Sequence, residues 1–132
     1  MLIEEIKKFS DETNSKFYFD YDLKKSNWFN IGGKTKIYFK AESLKDLMSF
    51  LKEFGKNNKI YILGAGSNTL ISDNTFDGIV IKLAKNFANI SLLPNDIIVA
   101  GSACSDKKLS EFAFNNGISG FEFLSCIPGT IG

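Results

Sequence analysis

Apolar positions along this chain fall into short runs whose spacing switches between helical and extended. Leu2, Ile3, Ile6 and Phe9 recur three to four residues apart with charged residues between them, which predicts an amphipathic helix reaching toward Asn14. From Phe17 to Leu23 aromatic and acidic residues alternate, as in an extended segment whose aromatics pack. A strand is expected over residues 36–40, with Ile37 and Phe39 on one face. Ser43, with Asp46 three residues on, has the pattern of a helix N-cap. Leu44, Leu47, Met48, Leu51 and Phe54 then mark one helical face, and burying all five would contribute roughly 8–15 kcal/mol gross. Residues 60–63 form a second strand, so the three elements make a βαβ unit with a right-handed crossover.

Further on, residues 70–72 suggest another short strand, turned at Asp73-Asn74 and again at Asp77-Gly78, followed by a strand over 79–83. Two apolar runs flanking Pro94-Asn95-Asp96 predict a hairpin. Ser105 and Asp106 open a helix with Leu109, Phe112 and Ala113 inward and Gly117 as its C′ residue. The order is βαββ, then more strands with one helix. A boundary near Asp77-Gly78 would divide the chain into a first subdomain over about 22–78 and a second over about 79–132.

One stretch breaks this pattern of core-forming runs. The run Tyr61-Ile62-Leu63 stops at Gly64-Ala65-Gly66-Ser67-Asn68, and Thr69-Leu70-Ile71 follows at once. Glycines at alternate positions permit a tight turn and close approach of backbone to a ligand. Successive N–H groups in such a turn form a concavity that attracts anions, with phosphate or pyrophosphate as natural guests. A dinucleotide fingerprint would need a third glycine where Thr69 stands, and a Walker loop would need a Lys that is absent. A plain glycine turn between strands fits the pentapeptide equally well.

Composition narrows the classes. The 132 residues, 44% hydrophobic and 23% charged, suit one globular unit. A net charge of +1 argues against a nucleic-acid partner. No apolar run has the length of a membrane span, and Glu4 and Glu5 stand where a signal sequence would be basic and then apolar, so a cytoplasmic location is expected. Cys104 and Cys126 lack metal-ligand spacing and are expected to be reduced thiols. The absence of His removes imidazole ligands and a His general base. No metal site is expected.

Four segments together carry a resemblance. They are residues 27–33 (Asn-Trp-Phe-Asn-Ile-Gly-Gly), 63–68 (Leu-Gly-Ala-Gly-Ser-Asn), 117–124 (Gly-Ile-Ser-Gly-Phe-Glu-Phe-Leu) and 127–132 (Ile-Pro-Gly-Thr-Ile-Gly). In this order and spacing the chain resembles, from about Asp22 to Gly132, the N-terminal FAD domain of the UDP-N-acetylenolpyruvoylglucosamine reductases, flavoenzymes of peptidoglycan precursor synthesis. The resemblance implies an α/β or α+β fold of the vanillyl-alcohol oxidase / p-cresol methylhydroxylase type, here incomplete, and FAD as cofactor. Gly64, Ala65, Gly66, Ser67 and Asn68 would hold the FAD pyrophosphate. Ile127, Pro128, Gly129, Thr130 and Gly132 would lie against the flavin, and Asn30 to Gly33 would border the same site or serve as a structural turn. Glu122 falls in a packing segment of the family.

In the complete family enzyme, NADPH supplies hydride to the flavin and a UDP-sugar is the substrate. The family's Arg, Ser and Glu for substrate binding and protonation lie beyond this stretch, so no catalytic residue is expected here. Cys126 stands where the family usually has Gly. A chain of this extent is expected to be inactive alone and to self-associate through apolar surface near Phe121, Phe123 and Ile127. Two other readings stay open: a non-catalytic remnant or interaction module, and part of another flavin oxidase or dehydrogenase with the same FAD domain.

Overall fold

The computed structural model describes residues 2–132. Helix α1 (Leu2–Asp11) leads into strand β1 (Lys16–Asp22), and a 3₁₀ turn (Leu23–Ser26) joins it to the loop before β2 (Lys34–Ala41). Helix α2 (Leu44–Phe54), β3 (Ile60–Ile62) and β4 (Phe76–Leu83) follow, then the hairpin β5 (Ile90–Leu93) and β6 (Ile97–Ala100). Helix α3 (Asp106–Asn115) and a 3₁₀ turn (Glu122–Cys126) precede the last residues.

Strands β1 to β4 form one mixed sheet in the order β1-β2-β4-β3, with β1 antiparallel to β2 and the other pairs parallel. β4 therefore enters between two strands already connected by α2. Alternation along β2 and β4 sends Ile37, Phe39, Ile79 and Ile81 to one face, where α1 and α2 cover them with Ile6, Phe9, Phe50 and Phe54. Aromatic packing dominates this core: Phe17 stacks on Phe39 at 4.6 Å, and Phe50 lies 4.3 Å from Phe39. The opposite face carries Tyr38, Val80 and Leu63, packed with Leu23 from the 3₁₀ turn.

Several expectations hold. α1, β2, α2, the β5–β6 hairpin and α3 occur where the pattern placed them, and the 17–23 segment is an edge strand. Ser43 caps α2 by accepting from the Asp46 N–H at 3.1 Å. Gly117, at φ +71°, closes α3: its own N–H bonds to the Phe114 carbonyl and that of Ile118 to the Ala113 carbonyl, the two bonds of a Schellman ending.

Others are corrected. The buried residues of α2 are Phe50 and Phe54, with Leu47 partly covered, while Leu44 and Met48 remain 61% and 63% exposed. The large rings at 50 and 54 occupy the contact with the sheet, so the aliphatic stripe is rotated off the core. Residues 70–72 form no strand, because the connection between parallel β3 and β4 must travel back along the sheet and uses residues 63–75 as a loop. Asp77-Gly78 is not a turn but part of β4. Thr35 pairs with Phe76 and Ile37 with Ile79, so β4 carries one extra residue there, a bulge. The division expected between residues 78 and 79 falls inside this strand.

Candidate functional site

Residues 64–68 leave the carboxyl end of β3, where parallel α/β sheets place their ligands. Buried Leu63 fixes the start of the loop by donating to the Ile81 carbonyl at 2.9 Å. Two loop carbonyls are tied outward: the Lys82 ammonium donates to Gly64 O at 2.9 Å, and the Trp28 N–H donates to Gly66 O at 2.9 Å. In a trans peptide the C=O and the following N–H point in opposite directions. Tying these two carbonyls therefore aims the Ala65 and Ser67 N–H groups away from the anchors. Among the described residues, none of the five N–H groups of Gly64 to Asn68 donates to a protein acceptor. These groups are therefore unpaired within the described residues.

Gly66 has φ +69°, and a Cβ there would overlap the carbonyl oxygen of Ser26. The glycine is needed because the chain passes against its own 26–27 segment. This differs from the sequence argument, in which the missing Cβ makes room for a ligand.

The 127–132 turn, far away in sequence, meets this loop. It is docked on the start of α3: Asp106 N–H donates to Gly129 O at 3.3 Å, Ile131 N–H to Cys104 O at 2.9 Å and Gly132 N–H to Ser102 O at 3.0 Å. The Ser67 hydroxyl donates to Pro128 O at 2.6 Å. Gly64, Ala65, Lys82, Ser102, Thr130 and Gly132 line one cavity of about 160 Å³ between the two segments. Of the expected site residues, Gly64, Ala65, Thr130 and Gly132 thus share a cavity, and Ser67 and Pro128 are joined by their hydrogen bond. Gly66 is buried behind it, Gly129 packs against Asp106, and Asn68 and Ile127 are exposed.

Asn30 to Gly33 forms a turn against the 71–74 loop. Asn30 and Gly32 have φ +54° and +117°, and Gly33 N–H donates to Ser72 O at 2.7 Å. Glu122 is exposed and accepts from the Gly120 N–H at 2.8 Å, so it holds a turn rather than packing in a core. Cys104 is buried and Cys126 exposed, both free.

The sequence reading did not single out Lys82, which ties the Gly64 carbonyl. Lys82 is half-buried at the carboxyl end of β4, and burial, then the nearby charge of Lys40, push its ammonium below the usual lysine range. The available signal was a Lys inside the apolar run Ile79-Val80-Ile81-Lys82-Leu83.

A family model described as FAD binding domain matches residues 35–132, and the chain belongs to that family. Its relatives include the UDP-N-acetylenolpyruvoylglucosamine reductase of Pelagibacter ubique (strain HTCC1062), 74% identical over all 132 residues and 44% of the relative's length. The enzyme of that name from Rickettsia typhi is 50% identical over 113 residues, 86% of this chain and 38% of its own. Among solved structures, the crystal structure of UDP-N-acetylenolpyruvylglucosamine reductase from Thermus caldophilus superposes with a TM-score of 0.69 at 25% identity, over 90% of this chain and 40% of that one. The chain spans less than half the length of these relatives.

Proposed function

We propose that this chain is the FAD-binding portion of an NADPH-dependent reductase that converts UDP-N-acetylenolpyruvoylglucosamine to UDP-N-acetylmuramate in peptidoglycan precursor synthesis, in the cytoplasm. The observation that carries the reading is the 74% identity to the Pelagibacter reductase over the whole of the chain. Geometry supports it through the meeting of the glycine loop with the 127–132 turn. In this reading the N–H groups of residues 64–68 hold the FAD diphosphate. The backbone at Pro128, Gly129 and Thr130 approaches the ring system, and Gly132, Ile127 and Asn68 lie at its margin. The flavin carries the redox chemistry when bound, and the chain binds and orients it. The first structural part closes at the end of β4 and the second begins with the hairpin.

A chimera supplies the test. This chain is joined to the remaining portion of the Pelagibacter relative, and NADPH oxidation is followed with UDP-N-acetylenolpyruvoylglucosamine present. Substrate-dependent turnover with bound FAD is expected from the chimera and none from the 132 residues alone. A folded chimera that binds no flavin would overturn the reading.

A further inference from the structure

Lys82 and Lys40 stand side by side in the register of the parallel pair β2–β4, on the sheet face away from α1 and α2. Like charges placed opposite one another destabilise a sheet. Lys82 is also half-buried. Among the described residues no carboxylate pairs with it, since Glu42 lies 3.9 Å from Lys40 instead. Burial and the Lys40 charge both push its ammonium below the usual range, so a cation at this position costs stability in two ways. A methionine there would carry neither cost. What the lysine adds is its bond to Gly64 O, at 2.9 Å. Gly64 is half-exposed, so water could satisfy that carbonyl as well. The bond therefore fixes a direction rather than satisfying an orphaned acceptor.

We infer that Lys82 is a positioning residue for the glycine loop: it sets the peptide between Gly64 and Ala65 before any ligand arrives, and it stays off the ligand itself. With Gly64 O held by Lys82, the Ala65 N–H of the same planar peptide points the other way. Glycine on the amino side of that peptide leaves its rotation weakly restricted. A flip would turn the Ala65 N–H toward the lysine and put a carbonyl oxygen where a donor had been, which repels an anion. The next carbonyl but one, Gly66 O, is held by the backbone N–H of Trp28, so Lys82 is the side chain on which the direction of the loop depends. The inference rests on the proposal that the N–H groups of residues 64–68 hold the FAD diphosphate.

The Gly64 carbonyl carbon and the Ala65 amide are followed by NMR in the isotope-labelled, ligand-free chain, as wild type, Lys82→Met, Lys82→Arg and Lys40→Met. FAD and riboflavin affinities are measured in the chimera carrying the same substitutions. Lys82→Met should move both resonances and weaken FAD about fivefold or more, the scale of one hydrogen bond. Riboflavin, which has no diphosphate, should bind it as it binds wild type. The urea-unfolding midpoint of Lys82→Met should be no lower than that of wild type, because burial and repulsion are relieved. Lys82→Arg should restore resonances and affinity together. Lys40→Met leaves the bond to Gly64 in place and should change neither. Unmoved resonances, or unchanged FAD affinity, in folded Lys82→Met overturn the inference. An equal loss of FAD affinity in Lys40→Met overturns it in favour of attraction by local charge. A lowered unfolding midpoint in Lys82→Met overturns it in favour of a lysine that only supports the scaffold. A wild-type chimera that binds no FAD overturns the reading beneath it, while the two resonances still decide whether Lys82 sets the loop.

Discussion

The Ser67 hydroxyl and the Pro128 carbonyl oxygen, 61 residues apart, are joined by a 2.6 Å hydrogen bond. It links the glycine loop, which belongs to the four-stranded sheet, to a turn docked on α3. Ser67→Ala should cost about 1 kcal/mol, the usual net worth of such a bond. Amide exchange in residues 127–132 should quicken. Identical exchange in both proteins would mean that the bonds from Asp106, Ile131 and Gly132 hold the turn unaided.

Gly66 and Gly64 should respond differently to alanine. At position 66 the positive φ and the overlap with Ser26 O add, so Gly66→Ala should lose at least about 2 kcal/mol in urea unfolding. At position 64 the nearest obstacle is the Thr130 hydroxyl, 3.1 Å from the new Cβ. Gly64→Ala should therefore stay within about 1 kcal/mol of wild type. Equal losses at the two sites would contradict the loop geometry.

Much of this was legible because local rules and the final packing agree. Ser43, Ser105 and Gly117 mark helix ends by chemistry that needs no tertiary partner. Ile37 and Phe39 announce a strand face by alternation alone. What failed depended on distant partners. Which side of α2 faces inward was decided by Phe39 and Phe9, which the spacing of leucines does not contain. Asp77-Gly78 looks like a turn locally, and only its pairing with residues 35–37 makes it a bulge. The glycine loop and the 127–132 turn were each visible as segments, but Lys82 was not, since its role depends on where β4 inserts.

The thiols should separate cleanly. Cys104 is fully buried, and burial raises its thiol above the ordinary range. A disulfide-exchange reagent under native conditions should modify Cys126 alone, with Cys104 reacting only on unfolding. Two fast-reacting equivalents would show that the segment around Cys104 opens readily.

Tyr38 should report on alkaline stability. Its burial raises the phenol above its ordinary value, partly countered by the Ser26 hydrogen bond. As pH rises past about 10, the unfolded phenol ionises first, so the unfolded state binds fewer protons than the folded one. The associated stability is complete below that pH and is lost above it, up to the folded pKa. Lys82 has the opposite sign, because its depressed folded pKa penalises the charged form at lower pH and relieves the penalty as pH rises. In Tyr38→Phe the alkaline loss should begin later and fall less steeply. A pH–stability curve parallel to wild type would exclude Tyr38 as its source.

The position of β4 also bears on how the chain is made. A ribosome releases β2, α2 and β3 in turn, yet β3 pairs only with β4 among the described strands. The gap between β2 and β3 stays open until residue 83 has emerged. Leu63 has no Ile81 carbonyl to meet before then, and Gly64 has no Lys82. Through the synthesis of some twenty residues the edges of β2 and β3 that face β4 have no partner strand. Closure of the sheet and the anchoring of the 64–68 loop thus both wait on the same strand, β4.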